Sequence, residues 1–172
     1  GQHLVKTLVN KGFEVIATSR NESKLTSYSN LTYYNCELTD VRNVENLFDL
    51  TRPDAVIHTA AMSKPDECAA NPELCTANNI QATQYLLSAA TKVGTNHFVY
   101  LSTDFIFGEG GPHAEEDAPA PLNLYGASKF TPIYGLQEYT TPLTGSAKHL
   151  KLNLSIVSNG YDTSIQDLSI IS

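Results

Sequence analysis

The segment NLYGASKF covers residues 123–130 and sets Tyr125 four positions before Lys129. On a helix that spacing puts both side chains on one face, one turn apart. Upstream, Ser102, Thr103 and Asp104 close the apolar run HFVYLSTDF. A hydroxyl, a phenol and an ammonium together form a proton-transfer set for a carbonyl. The hydroxyl orients the carbonyl oxygen, the phenol hands it a proton, and the ammonium tunes the phenol. A free phenol titrates near 10, too high for easy exchange at neutral pH. A neighbouring cation favours the phenolate and brings it toward working pH. Each part also has a plainer reading. Y-x-x-x-K is common on helix surfaces, and STD is a common turn.

The elements that must position this set are legible from periodicity. Leu4, Val5 and Leu8 fall at helical spacing, and Gly12 is a natural stop. EVIATSR (14–20) reads as a buried strand, and LTYYNCEL (31–38) as a second. Asp40 can cap the helix VRNVENLFDL, which stops before Pro53. DAVIHTAA (54–61) is a short apolar run of the kind buried on both faces of a parallel sheet. NPELCTANNIQATQYLLSAATKVG (71–94) opens with Asn71 as cap and Pro72 at the first helical position. HFVYLSTDF (97–105) is a further strand, and a loop over 108–122 leads into NLYGASKF. A helix begun at Tyr125 is expected to break before Pro132. Residues 131–172 show no sustained period, and the chain carries no internal repeat.

Strands alternating with helices specify an α/β fold, a Rossmann-like doubly wound parallel sheet. The expected division is a dinucleotide-binding domain over 1–130 and a remnant of a smaller C-terminal substrate-binding region over 131–172. Ligands of such sheets lie beyond the carboxyl ends of the strands. The chemistry is therefore expected after residues 20, 38, 61 and 103.

Composition narrows the partners. The 172 residues are 41% hydrophobic and 17% charged, ordinary for a globular domain with a real core. The net charge of −7 and sequence pI of 5.1 argue against nucleic acid, since phosphates need a basic excess. Cys36, Cys68 and Cys75 are odd in number and lack metal-ligand spacing, which points to a reducing cytoplasm and to no metal site. Cys68 and Cys75 read as structural. No apolar run approaches the roughly 20 residues of a membrane span, and no signal peptide is visible.

Several strand-end residues invite functional readings beside bland ones. Arg20 lies where an adenosine ribose would sit, and its guanidinium can grip a 2′-phosphate; it also reads as a solvated strand-end arginine. Glu37 and Leu38 are in reach of an adenine ring, although an acid at a strand end is ordinary. Ala60 and Ala61 let a backbone approach a pyrophosphate closely, or simply pack. His58 reads as a hydrogen-bonded core histidine. Asn79 sits mid-helix, where a buried amide can brace a neighbouring strand or order a water.

The combination HTAA, TANNIQAT and LSTDFIFGEGGPHAEEDAPAPLNLYGASK resembles the extended short-chain dehydrogenase/reductases, most closely the branch that reduces dTDP-4-dehydrorhamnose. The match covers residues 1–129, and the 102–129 block is its most specific part. The resemblance implies a hydroxyl, phenol and lysine at Thr103, Tyr125 and Lys129. It implies substrate contacts at Ser63, Asp104 and Phe105. Cofactor contacts fall on Gly1, Arg20, Glu37, Leu38, Ala60, Ala61 and Asn79, with Glu37 standing where an aspartate is more usual. Gly1 matches the last glycine of a T-G-x-x-G-x-x-G turn, with the following helix facing a pyrophosphate. A first strand and two glycines are then expected ahead of Gly1. SKF running directly into TPIYG reads as a fragment or as joined segments of a longer chain.

The implied activity is NADPH-dependent reduction of a 4-keto nucleotide sugar, dTDP-4-dehydro-L-rhamnose to dTDP-L-rhamnose, with NADH as an open second cofactor and a homodimer left open. Two alternatives stay in view. One is a non-catalytic regulatory subunit like that of methionine adenosyltransferase, which shares the PAPLNLYG-type segment. The other is a nucleotide-sugar epimerase or dehydratase, against which Arg20 leans mildly.

Overall fold

The computed structural model describes residues 1–114, 116–139 and 151–157, so most of the expected C-terminal region over 131–172 lies outside the described residues. Helix α1 (Gln2–Asn10) leads through Gly12, at φ 87°, into strand β1 (Val15–Ser19). Only a residue without Cβ reaches that turn cheaply. Strand β2 (Leu31–Asn35) pairs with β1 in parallel, Val15 opposite Leu31. Helix α2 (Val41–Thr51) starts as expected: the Asp40 carboxylate accepts from the backbone N–H groups of Arg42 at 2.9 Å and Asn43 at 3.3 Å. A cap of this kind contributes about 1 kcal/mol.

Strand β3 (Ala55–His58) pairs with β4 (His97–Thr103), and β4 with β5 (Lys151–Val157), all in parallel. Among the described residues, β1–β2 and β3–β4–β5 form two separate ladders. Short helices α3 (Pro65–Ala70) and α4 (Pro72–Thr76) follow β3, and neither Lys64 nor Asn71 supplies a side-chain cap. The single helix expected over 71–94 is instead three pieces. After α4 comes a π-helical turn, Ala77–Gln81, and then α5 (Ala82–Val93), which ends at Gly94 with φ 79°.

Helix α6 (Leu124–Tyr139) corrects two expectations about the C-terminal part. It continues through Pro132 instead of breaking, and β5 adds a regular strand within a stretch that shows no period. Proline removes one backbone donor and crowds the preceding turn. Here the turn is braced by side chains: the Ser102 hydroxyl donates to the Lys129 carbonyl at 3.4 Å, and the Thr131 hydroxyl donates to that of Ala127 at 2.8 Å. Pro132 is fully buried, so packing also holds it.

The core joins α2, α5, β4 and α6. Val44, Phe48, Leu87, Ala90, Phe98, Tyr100 and Ile133 are buried in one cluster. Burying a side chain the size of Phe98 contributes about 1.5–3 kcal/mol. A second, smaller cluster holds Cys68, Cys75 and Tyr125, with Met62, Phe105 and Leu124 against it. The two clusters fix β4 and α6 together, which is the condition for any chemistry shared between their residues.

Candidate active site

Thr103 is the last residue of β4, and Tyr125 and Lys129 lie one turn apart on α6. All three are buried, at 5%, 9% and 4% exposure. The Thr103 hydroxyl donates to Asp104 Oδ1 at 3.1 Å and accepts from the Phe105 backbone N–H at 3.3 Å. The Phe105 ring meets the Tyr125 ring edge-on, with centroids 5.6 Å apart. The structure thus brings together Thr103, Asp104, Phe105, Tyr125 and Lys129.

Close approach of the turn after β4 (Asp104–Ile106) to α6 depends on Gly126, a role with no signal in the sequence. A Cβ there would overlap the Phe105 carbonyl oxygen, sit 2.9 Å from its carbon and 3.1 Å from Pro121 Cβ. Backbone packed this tightly leaves room for glycine alone.

A hydrogen-bonded frame lies behind the phenol. Asn79, on the π-helical turn, accepts from Met62 N–H at 2.7 Å and donates to Met62 O at 3.0 Å and to Ser128 Oγ at 2.8 Å. Ser128 passes its own proton to the Tyr125 carbonyl at 2.8 Å. Cys75 donates weakly to Ser128 Oγ at 3.4 Å. Asn79 therefore ties the loop after β3 to the helix carrying Tyr125, and its carboxamide is fully engaged in doing so. The widened turn that aims it inward is a common device near functional sites.

Electrostatics correct one expectation. Spacing along the helix predicts that Lys129 brings the phenol down, yet Tyr125 is pushed above its usual value, first by burial. A hydrogen-bonding contact from Thr103 pulls it partly back, and the thiols of Cys68 and Cys75 and the Asp104 carboxylate add to the rise. The Lys129 ammonium is turned elsewhere, over the Tyr100 ring at 4.2 Å from its centroid. Among the described residues its Nζ has no hydrogen bond and no carboxylate partner. Burial lowers its pKa from the ordinary 10.5 to about 8.

His58 behaves as the core histidine expected. Its Nε2 lies 3.1 Å from Thr83 Oγ1, and the Thr83 proton goes to the Asn79 carbonyl at 2.7 Å. His58 is therefore the donor in that pair. Burial, then the Lys129 charge, pushes it down to about 3, so it stays neutral.

The carboxyl ends of the strands present a surface suited to a polyanion. Gly1 caps α1 beside the end of β3: a Cβ on it would stand 3.5 Å from Thr59 Oγ1. Ala60 and Ala61 are exposed there. Arg20 lines a cavity of about 230 Å³ with Ala61, Met62, Ser63, Lys64 and Glu67. A helix N-terminus, a guanidinium and a buried ammonium without an anion form a donor set that fits a dinucleotide. Lys129 would hold ribose hydroxyls and Arg20 a phosphate. Of the expected cofactor residues Arg20 and Ala61 line that cavity, whereas Gly1, Glu37, Leu38, Ala60 and Asn79 do not. The Glu37 carboxylate accepts from the Thr39 backbone N–H at 3.1 Å, and Leu38 packs on the main core.

Comparison with known proteins agrees with this geometry. The beta subunit of methionine adenosyltransferase 2 from Danio rerio is 36% identical over 98 residues, 56% of this chain and 29% of that protein. dTDP-4-dehydrorhamnose reductase of Escherichia coli (strain K12) is 36% identical over 111 residues, 63% of this chain and 35% of the reductase. The chain thus spans about a third of the length of these relatives. UDP-glucose 4-epimerase from Thermus thermophilus, in complex with NAD, superposes with a TM-score of 0.78 at 26% identity, covering 90% of this chain and 50% of the epimerase. dTDP-4-dehydrorhamnose reductase from Bacillus anthracis str. Ames, in complex with NADP, gives 0.63 at 27% identity over 74% and 44%. Residues 1–144 match the NAD dependent epimerase/dehydratase family, so this chain is a member of that NAD(P)-dependent, Rossmann-like family of the extended short-chain dehydrogenase/reductase superfamily.

Proposed function

We propose that the chain belongs to a reductase of 4-keto nucleotide sugars, with NADPH as the preferred reductant and dTDP-4-dehydro-L-rhamnose as substrate. The observation that carries this reading is the buried set of Thr103, at the end of β4, with Tyr125 and Lys129 one turn apart on α6. A phenol is protonated at neutral pH and can give its proton to a ketone oxygen, which reduction requires. Burial alone makes that phenol a weaker acid, so cations brought close in the loaded site would have to offset it. When bound, the reduced nicotinamide supplies a hydride to the sugar carbon. Tyr125 then delivers its proton to the carbonyl oxygen as charge develops there. Thr103 orients that oxygen by swinging its proton away from Asp104. Phe105, Asp104 and Ser63 contact the sugar nucleotide. Catalysis is mainly positioning plus one tuned proton transfer.

Arg20 supports the choice of NADPH, since it shares its cavity with Lys64 and two cations suit a 2′-phosphate. Glu67 competes for Lys64 at 2.6 Å, but both are well exposed and that pair is worth little.

The regulatory reading remains specific because the Danio rerio subunit matches at 36% identity. The two separate on one assay. Absorbance of NADPH is followed on adding dTDP-4-dehydro-L-rhamnose, with NADH in parallel and Tyr125→Phe as control. Rapid oxidation by the wild type and loss of at least about a hundredfold in the variant is the reductase result. Tight NADPH binding without turnover, together with capture of a methionine adenosyltransferase catalytic subunit, is the regulator result.

A further inference from the structure

We propose that Tyr100 is a positioning residue for the reaction, its ring face holding the Lys129 ammonium at the place where that group would meet the cofactor. The inference rests on Lys129 belonging to the site proposed above, and nothing in the sequence motif points to Tyr100.

Lys129 is 4% exposed and its Nζ finds no acceptor among the described residues. A buried ammonium needs some compensation, and the negative face of an aromatic ring supplies it without an anion. The Tyr100 ring stands at 4.2 Å from Nζ, well within the range of that interaction. A carboxylate in the same place would bind the lysine tightly and compete with cofactor hydroxyls for its protons. A ring face holds the cation through one side of the ammonium and leaves N–H groups on the other side for cofactor hydroxyls.

The platform is itself fixed. Tyr100 is fully buried mid-strand on β4, paired with His58 on β3 and with Leu154 on β5. The His58 ring lies 5.7 Å away on centroids. The groups facing the ammonium are then neutral His58 from β3 and the Tyr100 ring from β4. Asp104, Cys68 and Cys75 bear on Tyr125 instead. The Tyr100 hydroxyl lies by Thr83 and has no hydrogen-bond partner among the described residues. The ring, and not the hydroxyl, is therefore the working part.

The test compares Tyr100→Phe, Tyr100→Leu and, as a core control that does not touch Lys129, Phe98→Leu. The Lys129 titration is read from the side-chain carbon signals of protein labelled with 13C-lysine, so it needs no substrate. Its midpoint is expected to fall by about one pH unit in Tyr100→Leu, since a buried cation–π contact is lost. Tyr100→Phe and Phe98→Leu keep the wild-type midpoint. With substrate, kcat falls about ten- to a hundredfold in Tyr100→Leu, its alkaline limb moves down with the midpoint, and Tyr100→Phe rescues both. Should Tyr100→Leu not fold, fluorinated phenylalanines at position 100 give a near-isosteric series, and the midpoint must drop stepwise as the ring face loses negative charge. An unchanged midpoint across the leucine or fluorinated variants overturns the proposal. Failure of the wild type to oxidise NADPH would instead count against the reductase reading, with the titration still deciding this one.

Discussion

Replacing Asn79 with leucine tests the idea that a buried amide ties the cofactor loop to the catalytic helix. Leucine is similar in size, so the change removes hydrogen bonds with little change in volume. Four contacts go: Met62 N–H at 2.7 Å, Met62 O at 3.0 Å, Ser128 Oγ at 2.8 Å and a weak one to Cys75 Sγ at 3.6 Å. A buried polar group left without a partner costs about 1–3 kcal/mol. Met62 is half-buried, so water can reach it and the lower figure applies to each of its groups. Ser128 is 1% exposed, but keeps its bond to the Tyr125 carbonyl and a weak one from Cys75. The sum is about 3–4 kcal/mol, offset by about 1 kcal/mol of added apolar burial. Net destabilisation should therefore be about 2–3 kcal/mol, a large share of the roughly 5–15 kcal/mol that holds a domain folded. Urea unfolding followed by circular dichroism reads it as a lower midpoint with an unchanged slope. The loop at Ala60 and Ala61 should loosen too, so NADPH affinity falls with stability. A loss below about 0.5 kcal/mol would refute the reasoning, because the bonds would then be interchangeable with water.

Three further outcomes follow from the same geometry. Gly126→Ala drives a methyl into the Phe105 carbonyl, so stability should fall by about 2–3 kcal/mol or more and turnover should collapse, read by thermal unfolding and NADPH oxidation. Lys129 is charged in both states below about pH 8 but carries a burial penalty only when folded; that penalty fades as pH rises from about 8 toward 10.5. Lys129→Met should accordingly be more stable than wild type by about 2–3 kcal/mol at pH 7, inactive, and closer to wild type as pH rises, the comparison cancelling the opposing ionisation of Cys68 and Tyr100. Arg20→Ala should raise the NADPH KM about tenfold or more while sparing NADH, since a charged hydrogen bond contributes about 1.5–3 kcal/mol.

The elements that carry their own local signal were legible in the sequence. Asp40 caps α2, Gly94 ends α5, and His97–Thr103 delivers Thr103 to the sheet's carboxyl edge, because capping and strand burial depend on neighbouring residues. The pairing of Tyr125 with Lys129 was equally local, being a matter of helical spacing. What lay outside that reach depends on contacts distant in sequence. Pro132 should stop a helix, and does not, in a turn where Ser102 from another element meets a backbone carbonyl. The π-helical turn at Asn79 has no periodicity signal because its cause is Met62 and Ser128, across the fold. Gly126 reads as an ordinary glycine until the Phe105 backbone is seen against it. The rise of the Tyr125 pKa came from burial, which charge spacing along the chain does not reveal.

The most direct test of the central claim follows the hydrogen itself. The expressed protein is incubated with dTDP-4-dehydro-L-rhamnose and NADPH deuterated at nicotinamide C4, and the sugar is examined by NMR and mass spectrometry. A reductase using Tyr125 as proton donor places one deuterium on sugar C4, in step with NADP formation, and Tyr125→Phe nearly abolishes both. Return of an unreduced sugar, or an epimerised one without net NADPH consumption, would contradict the account.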